Sequence, residues 1–203
     1  MKTVILTSYY KQTFSKLVKT LKSRKVKNIA YIINAKTPYL KENPDYVPGA
    51  KGMFIENGFK VRMIDLEKAD LKKDFNGMDA VYVMGGNSFY LLDSMKKSGF
   101  DKVIGALLDK GVIYIGESAG SYVACPTIEM AHWKHQDADI VGLKDLTALN
   151  LVPFLVTVHY KPSFASVVDK EIKKCKYDVK KLTDNDMLII NDDNVKKVTL
   201  RNE

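Results

Sequence analysis

The sequence predicts an α/β protein: a doubly wound, mostly parallel sheet flanked by helices, with short edge strands near the C-terminus. Two observations carry this. Runs such as Ile29-Ala30-Tyr31-Ile32-Ile33-Asn34 and Ala80-Val81-Tyr82-Val83-Met84-Gly85 are apolar throughout instead of alternating, as a parallel strand covered on both faces requires. Those runs also alternate with helical patterns over roughly the first 125 residues, the arrangement of right-handed strand-helix-strand crossovers.

The first run, Thr3–Thr7, follows a single lysine and lacks both a long apolar region and a small-residue cleavage site. It therefore reads as a first strand and not as a signal peptide. A helix over Thr13–Leu21 leads to a strand over Asn28–Asn34. The stretch Pro38–Pro48 is a loop candidate near the C-terminal ends of the strands, where ligands bind in open α/β sheets. A helix then closes at Asn57-Gly58, followed by strands Lys60–Ile64 and Ala80–Met84. Helices Ser88–Lys97 and Asp101–Lys110 stop at Ser98-Gly99 and Lys110-Gly111, glycines placed to end them. Strand Val112–Gly116 runs into an apolar helix that takes in Cys125. A strand over Phe154–His159 and a closing pair, Met187–Ile190 and Val195–Leu200, complete the chain.

The 203 residues suit one domain, 1–203, and are short for two. Hydrophobic and charged fractions of 46% and 28% are those of a globular protein, and no apolar run approaches the about 20 residues needed to span a bilayer. Two distant cysteines without metal-type spacing, Cys125 and Cys175, point to a reduced, cytoplasmic protein. The net charge of +8 raises nucleic-acid binding. The lysines, however, are spread over helix faces (Lys11, Lys16, Lys19, Lys22; Lys170, Lys173, Lys174), and no nucleic-acid-binding signature focuses them. A solvated basic surface explains them better.

Val112–Gly120 reads VIYIGESAG, a strand driving into Gly116-Glu117-Ser118-Ala119-Gly120. This fits G-x-S-x-G, in which a sharp strand-to-helix turn exposes a serine and a helix N-terminus points N–H groups at what it attacks. Ser118 is the candidate nucleophile; the bland alternative is a serine that caps the helix. Gly85-Gly86-Asn87-Ser88 likewise follows a strand and opens a helix, which suits an oxyanion hole or else a turn that uses glycine for packing. It is neither a dinucleotide fingerprint nor a P-loop.

A serine hydroxyl needs a base at neutral pH. Of three histidines, His132 and His135 sit in the polar segment Ala131–Asp137, expected as a surface loop, and no third ligand completes a metal site with them. His159 ends the apolar run Phe154–Val158 and is expected on the same sheet edge as Ser118. For the orienting carboxylate, Asp184 and Asp186 both precede the strand at Met187 and either could serve; Asp137 and Asp139 are less well placed. Each could equally build the turn before that strand. No histidine follows His159, so the order is Ser, His, acid, unlike an α/β-hydrolase.

Taken together these blocks resemble the dipeptidase E family, the α-aspartyl dipeptidase group of serine peptidases, related to cyanophycinase. The resemblance rests on Gly85–Phe89 with Leu91-Leu92, Val112–Gly120, Cys125-Pro126-Thr127-Ile128, Ala148-Leu149-Asn150-Leu151 and His159-Tyr160. It implies a fold similar to the class I glutamine amidotransferase domain. It further implies Ser118 as nucleophile, His159 as general base, and Gly86 and Ala119 as main-chain oxyanion donors. Asp184 best matches the acidic member, with Asp186 as substitute, although the family dipeptidase has Glu there. Glu117 stands where that dipeptidase has a bulky aromatic, and no arginine lies near His159 to hold a substrate aspartate, a place Lys161 could take. Serine at the elbow argues against glutamine hydrolysis. The expectation is a serine peptidase acting on short peptides without metal or organic cofactor, as a monomer or homodimer. The alternatives are a catalytically weak binding or regulatory member, or an esterase-like acyl hydrolase.

Overall fold

The computed structural model describes residues 1–40, 49–134 and 137–200. In chain order the elements are β1 (Thr3–Thr7), α1 (Tyr10–Ser23), β2 (Asn28–Ile32), α2 (Thr37–Leu40), α3 (Gly49–Glu56), β3 (Lys60–Ile64), α4 (Leu71–Asp74), β4 (Ala80–Val83), α5 (Ser88–Ser98), α6 (Phe100–Asp109), β5 (Ile113–Glu117) and α7 (Ala119–Val123). They continue with β6 (Leu155–Thr157), α8 (Ala165–Ile172), β7 (Val179–Lys181), β8 (Asp186–Asn191) and β9 (Asn194–Thr199). Seven strands form one sheet in the order β3-β2-β4-β5-β1-β8-β9. The first five are parallel, and β8 and β9 close the edge antiparallel.

Both faces of that sheet are covered, which is why its strands read apolar at every position. Val4, Leu6, Ala30, Ile32, Val81, Val83 and Tyr114 point to one face and pack with Phe89, Leu92, Met95, Ile104 and Val123 from α5, α6 and α7. Ile5, Ile29, Tyr31, Ala80, Tyr82, Ile113 and Ile115 point to the other, against Phe14, Leu17, Leu21 and Phe54 from α1 and α3. Helix α1 buries Phe14, Leu17, Val18 and Leu21 at helical spacing while Lys16, Lys19 and Lys22 stay exposed. Helix α5 starts with Asn87 accepting the Tyr90 N–H at 2.9 Å and stops at Gly99, whose φ of 76° is the left-handed cap.

Several expectations need correction. The run Phe154–His159 does not join the main sheet. Only Leu155–Thr157 is strand, and it pairs in parallel with β7 in a separate two-stranded sheet. The free edge of β1 is already taken by β8, while Leu155 and Val156 belong to the core that α7 shares. In the closing pair, six residues each, β8 lies against β1 and β9 forms the outer edge. The helix after Ser118 ends at Val123, so Cys125 lies beyond it, fully buried. The segment from Ala131 is not a surface loop throughout, since Trp133 and Lys134 are buried; His135 lies outside the described residues. Of the loop Pro38–Pro48, Pro38–Leu40 finishes α2 and the remainder lies outside the described residues.

Candidate active site

The C-terminal ends of β1, β4 and β5 carry the site. Ser118 follows β5 with φ 49° and ψ −109°, a conformation that is costly for a residue with a side chain and fits the strained turn of a nucleophile elbow. It is held there from both sides. Its N–H donates to the Thr7 carbonyl at 3.0 Å, and its own carbonyl accepts the N–H groups of Ser121 and Tyr122 at 2.8 and 3.1 Å. Ser121 donates its hydroxyl to the carbonyls of Thr7 and Gly116, and Tyr114 donates to the Gly120 carbonyl at 2.7 Å. A Cβ on Gly120 would stand 2.2 Å from the Val83 carbonyl oxygen, so only glycine lets α7 lie this close to β4. Ser118 occupies the N-cap position of α7 but makes no capping bond with its side chain. Its hydroxyl lies 2.9 Å from His159 Nε2.

His159 arrives from a different layer than expected, just beyond β6 of the second sheet, with φ 52°. Its Nδ1 lies 2.6 Å from Asp184 Oδ1. The two segments are laced together: Leu182 N–H donates to the Thr157 carbonyl and Tyr160 N–H to the Leu182 carbonyl, both at 2.9 Å. Asp186 is spent elsewhere. It accepts the Thr183 N–H and hydroxyl and the Thr199 hydroxyl, and pairs with Lys197 at 3.0 Å. Burial opposes its charge, but those donors prevail and hold the carboxyl below its ordinary value. Asp139 caps the turn at Val141–Leu143. Asp137 accepts the Ser88 N–H at 3.0 Å and the Ser88 hydroxyl at the start of α5.

Gly86 and Ala119 flank Ser118. Among the described residues no protein acceptor takes either main-chain N–H. Gly86 has φ 151°, and a Cβ there would stand 2.1 Å from the Ala35 carbonyl oxygen. Glu117 is buried under the cleft, where it accepts the Tyr82 hydroxyl at 2.8 Å and the Gly85 N–H at 3.3 Å. Burial pushes its carboxyl up, with Tyr82, Gly85 and Lys36 working against the rise. Two adjoining recesses of about 510 and 260 Å³ share Lys36, Gly86, Ser118 and His159. Among the described residues Lys36 and Lys11 are the lysines along them; Lys161 is exposed and lines neither. A larger groove of about 740 Å³, between Phe75, Met78 and Leu107, opens where β4 and β5 begin, at the opposite end of the sheet from Ser118.

Two residues at the site escaped the sequence reading. Ser8, fully buried just past β1, bonds both His159 and Asp184. Its place at a strand end was the available signal. Lys134, buried, donates to the Val158 carbonyl; no pattern in the chain marks it. His132 is exposed, its ring 4.6 Å from that of Phe89. Among the described residues no three His, Cys, Asp or Glu side chains gather as a metal would need. No described helix is long and apolar enough to cross a membrane.

Comparison with known proteins gives one direction. The model of peptidase family S51 matches residues 3–198. An uncharacterized peptidase of Pasteurella multocida is 31% identical over 163 residues, spanning 79% of this chain and 78% of that protein. A peptidase E of Streptomyces coelicolor is 32% identical over 124 residues, 61% of this chain and 49% of its own length. The crystal structure of a Listeria monocytogenes protein named as a candidate peptidase E superposes with a TM-score of 0.84. It shares 28% identity and covers 99% of this chain and 100% of that one.

Proposed function

This chain belongs to peptidase family S51 and is a serine peptidase, and on that premise we propose that it cleaves short peptides through a Ser118–His159–Asp184 relay. His159 Nε2 takes the Ser118 proton as Oγ attacks the scissile carbonyl. The oxyanion that forms is met by the N–H groups of Gly86 and Ala119. His159 then gives the proton to the leaving amine, and a water activated by the same imidazole releases the acyl group from Ser118. Asp184 fixes the imidazole tautomer and balances the imidazolium. No step draws on a metal or organic cofactor.

The observation that carries this reading is the continuous row from Ser118 Oγ, 2.9 Å to His159 Nε2, and from His159 Nδ1, 2.6 Å to Asp184 Oδ1. The two recesses that meet at Ser118 support a short substrate, one recess for each side of the scissile bond. Both cysteines are free thiols, which supports work in the reducing cytoplasm, as a monomer or homodimer. The test is a fluorophosphonate probe together with a dipeptide panel. Covalent labelling at Ser118, and loss of both labelling and hydrolysis in Ser118→Ala, is the expected result. Full hydrolysis by Ser118→Ala overturns the reading. Ester turnover far above that of any peptide redirects it to acyl esters.

A further inference from the structure

The peptide bond that delivers the imidazole is gripped at both of its polar ends by side chains outside the catalytic row. His159 is left-handed, with φ 52°, a conformation that persists in a residue with a side chain only when its surroundings impose it. Its N–H donates to Ser8 Oγ at 2.7 Å. The carbonyl at the other end of that peptide bond, on Val158, accepts from Lys134 Nζ. Ser8 then donates its hydroxyl hydrogen to Asp184 Oδ1 at 2.7 Å, the same oxygen that faces His159 Nδ1. A single hydroxyl therefore fixes the His159 main chain and, through the carboxylate, its ring.

Neither side chain is where it is by default. Ser8 is fully buried, and a buried hydroxyl with one proton and few neighbours must be matched donor for acceptor. Lys134 is buried, an expensive place for an ammonium, which the Phe164 ring, 5.6 Å from its Nζ, offsets only in part. The end of β1 also serves both reacting groups. The Thr7 carbonyl holds the Ser118 N–H, and the next residue, Ser8, holds the His159 N–H. Nucleophile and base are thus referred to adjacent residues of one central strand.

We infer that Ser8 and Lys134 are positioning residues: they clamp the Val158–His159 peptide so that the imidazole bridges Ser118 and Asp184, and Ser8 also steadies the negative charge on Asp184. The inference rests on the proposed role of His159 as base. It is tested with Ser8→Ala and Lys134→Met beside His159→Ala, following peptide hydrolysis and fluorophosphonate labelling over roughly pH 5 to 9, with folding checked by thermal melting. Ser8→Ala is expected to lower kcat about 10²-fold with KM little changed, the cost of a base displaced by a fraction of a bond length. The acidic limb of kcat/KM should move to higher pH, because Asp184, stripped of a donor, holds the imidazolium more tightly. Lys134→Met is expected to lower kcat with KM retained. Wild-type kcat and pH profile in both variants, with His159→Ala inactive, overturn the clamp and leave the base in place. Wild-type activity in His159→Ala overturns the base itself. If Ser8→Ala does not fold, Lys134→Met decides alone, since it releases the same peptide bond from its carbonyl end.

Discussion

Tyr82 donates its hydroxyl hydrogen to Glu117 Oε2 across 2.8 Å, with both side chains buried beneath the Ser118 turn. The same carboxylate oxygen takes the Gly85 N–H, so the residue before Ser118 is tied to the strand end that presents Gly86. The acid in place of an aromatic is therefore a brace under the cleft. Tyr82→Phe removes a buried hydrogen bond from that carboxyl, which costs about 1–3 kcal/mol. Burial already raises the Glu117 carboxyl, and losing this donor raises it further. A carboxyl whose folded pKa exceeds its unfolded one binds its proton preferentially in the fold. Its contribution to stability then falls as pH rises from the unfolded value through the folded one. Urea midpoints at acid and neutral pH should show Tyr82→Phe losing more at neutral pH than at acid pH.

Asp184 and Asp186, two positions apart, should separate cleanly on substitution. Asp184→Asn keeps the shape at His159 Nδ1 but selects the wrong imidazole tautomer, with an expected loss in kcat of about 10⁴-fold and little change in melting temperature. Asp186→Asn should leave kcat near wild type and destabilise the β8–β9 edge, by about 1–3 kcal/mol for the donors it strands. Because the Asp186 carboxyl is held below its ordinary value, its contribution is present above the unfolded pKa and lost as pH falls through the folded one. The deficit of Asp186→Asn should therefore shrink in acid. Steady-state kinetics and melts against pH check both halves.

The legible parts of this site are those whose geometry is written locally. At Val112–Gly120 a strand run, a turn serine and small residues follow one another in the chain, and each constrains its neighbour. His159 drew attention by scarcity among three histidines, but its route did not show. Strand β6 has three residues, and its partner β7 is the unremarkable Val179-Lys180-Lys181, half-buried without an apolar pattern. The residue pattern alone leaves Asp184 and Asp186 open, since they stand two apart in one polar stretch; the resemblance favours Asp184, and the structure puts Asp184 in the turn and Asp186 at the start of β8. Ser8 and Lys134 act through contacts 151 and 24 positions away in sequence, which no local pattern encodes.

Gly86→Ala tests the proposed oxyanion hole from the backbone side. At φ 151°, with the Ala35 carbonyl oxygen 2.1 Å from where a Cβ would sit, the added methyl must push the Gly85-Gly86 turn away from Ala35 and the Gly86 N–H off target. Losing one oxyanion donor typically costs about 10²–10³-fold in kcat, and a loss of that size with KM retained is expected. Fluorophosphonate labelling should slow in step, because the probe's phosphoryl oxygen uses the same donors. Unchanged kcat in a folded Gly86→Ala protein would sink the assignment of this N–H.

Lys134 supplies a stability signal at alkaline pH that is independent of any substrate. Burial pushes its ammonium down from the ordinary 10.5 to about 8, against the pull of Asp137 and Asp184. A lysine with a lowered folded pKa gives up its proton in the fold first. The penalty for keeping it charged is thus full below the folded value and is relieved as pH climbs toward the unfolded one. Stability from this group should rise across that window. Buried Tyr82 and Tyr114, with hydroxyls raised by burial, pull the opposite way only once free tyrosine begins to ionise, near pH 10. The useful quantity is the difference in unfolding free energy between wild type and Lys134→Met, followed from about pH 8 to 9.5. That difference should shift steadily in favour of the wild type; a flat line would mean that the amine titrates as it does in water.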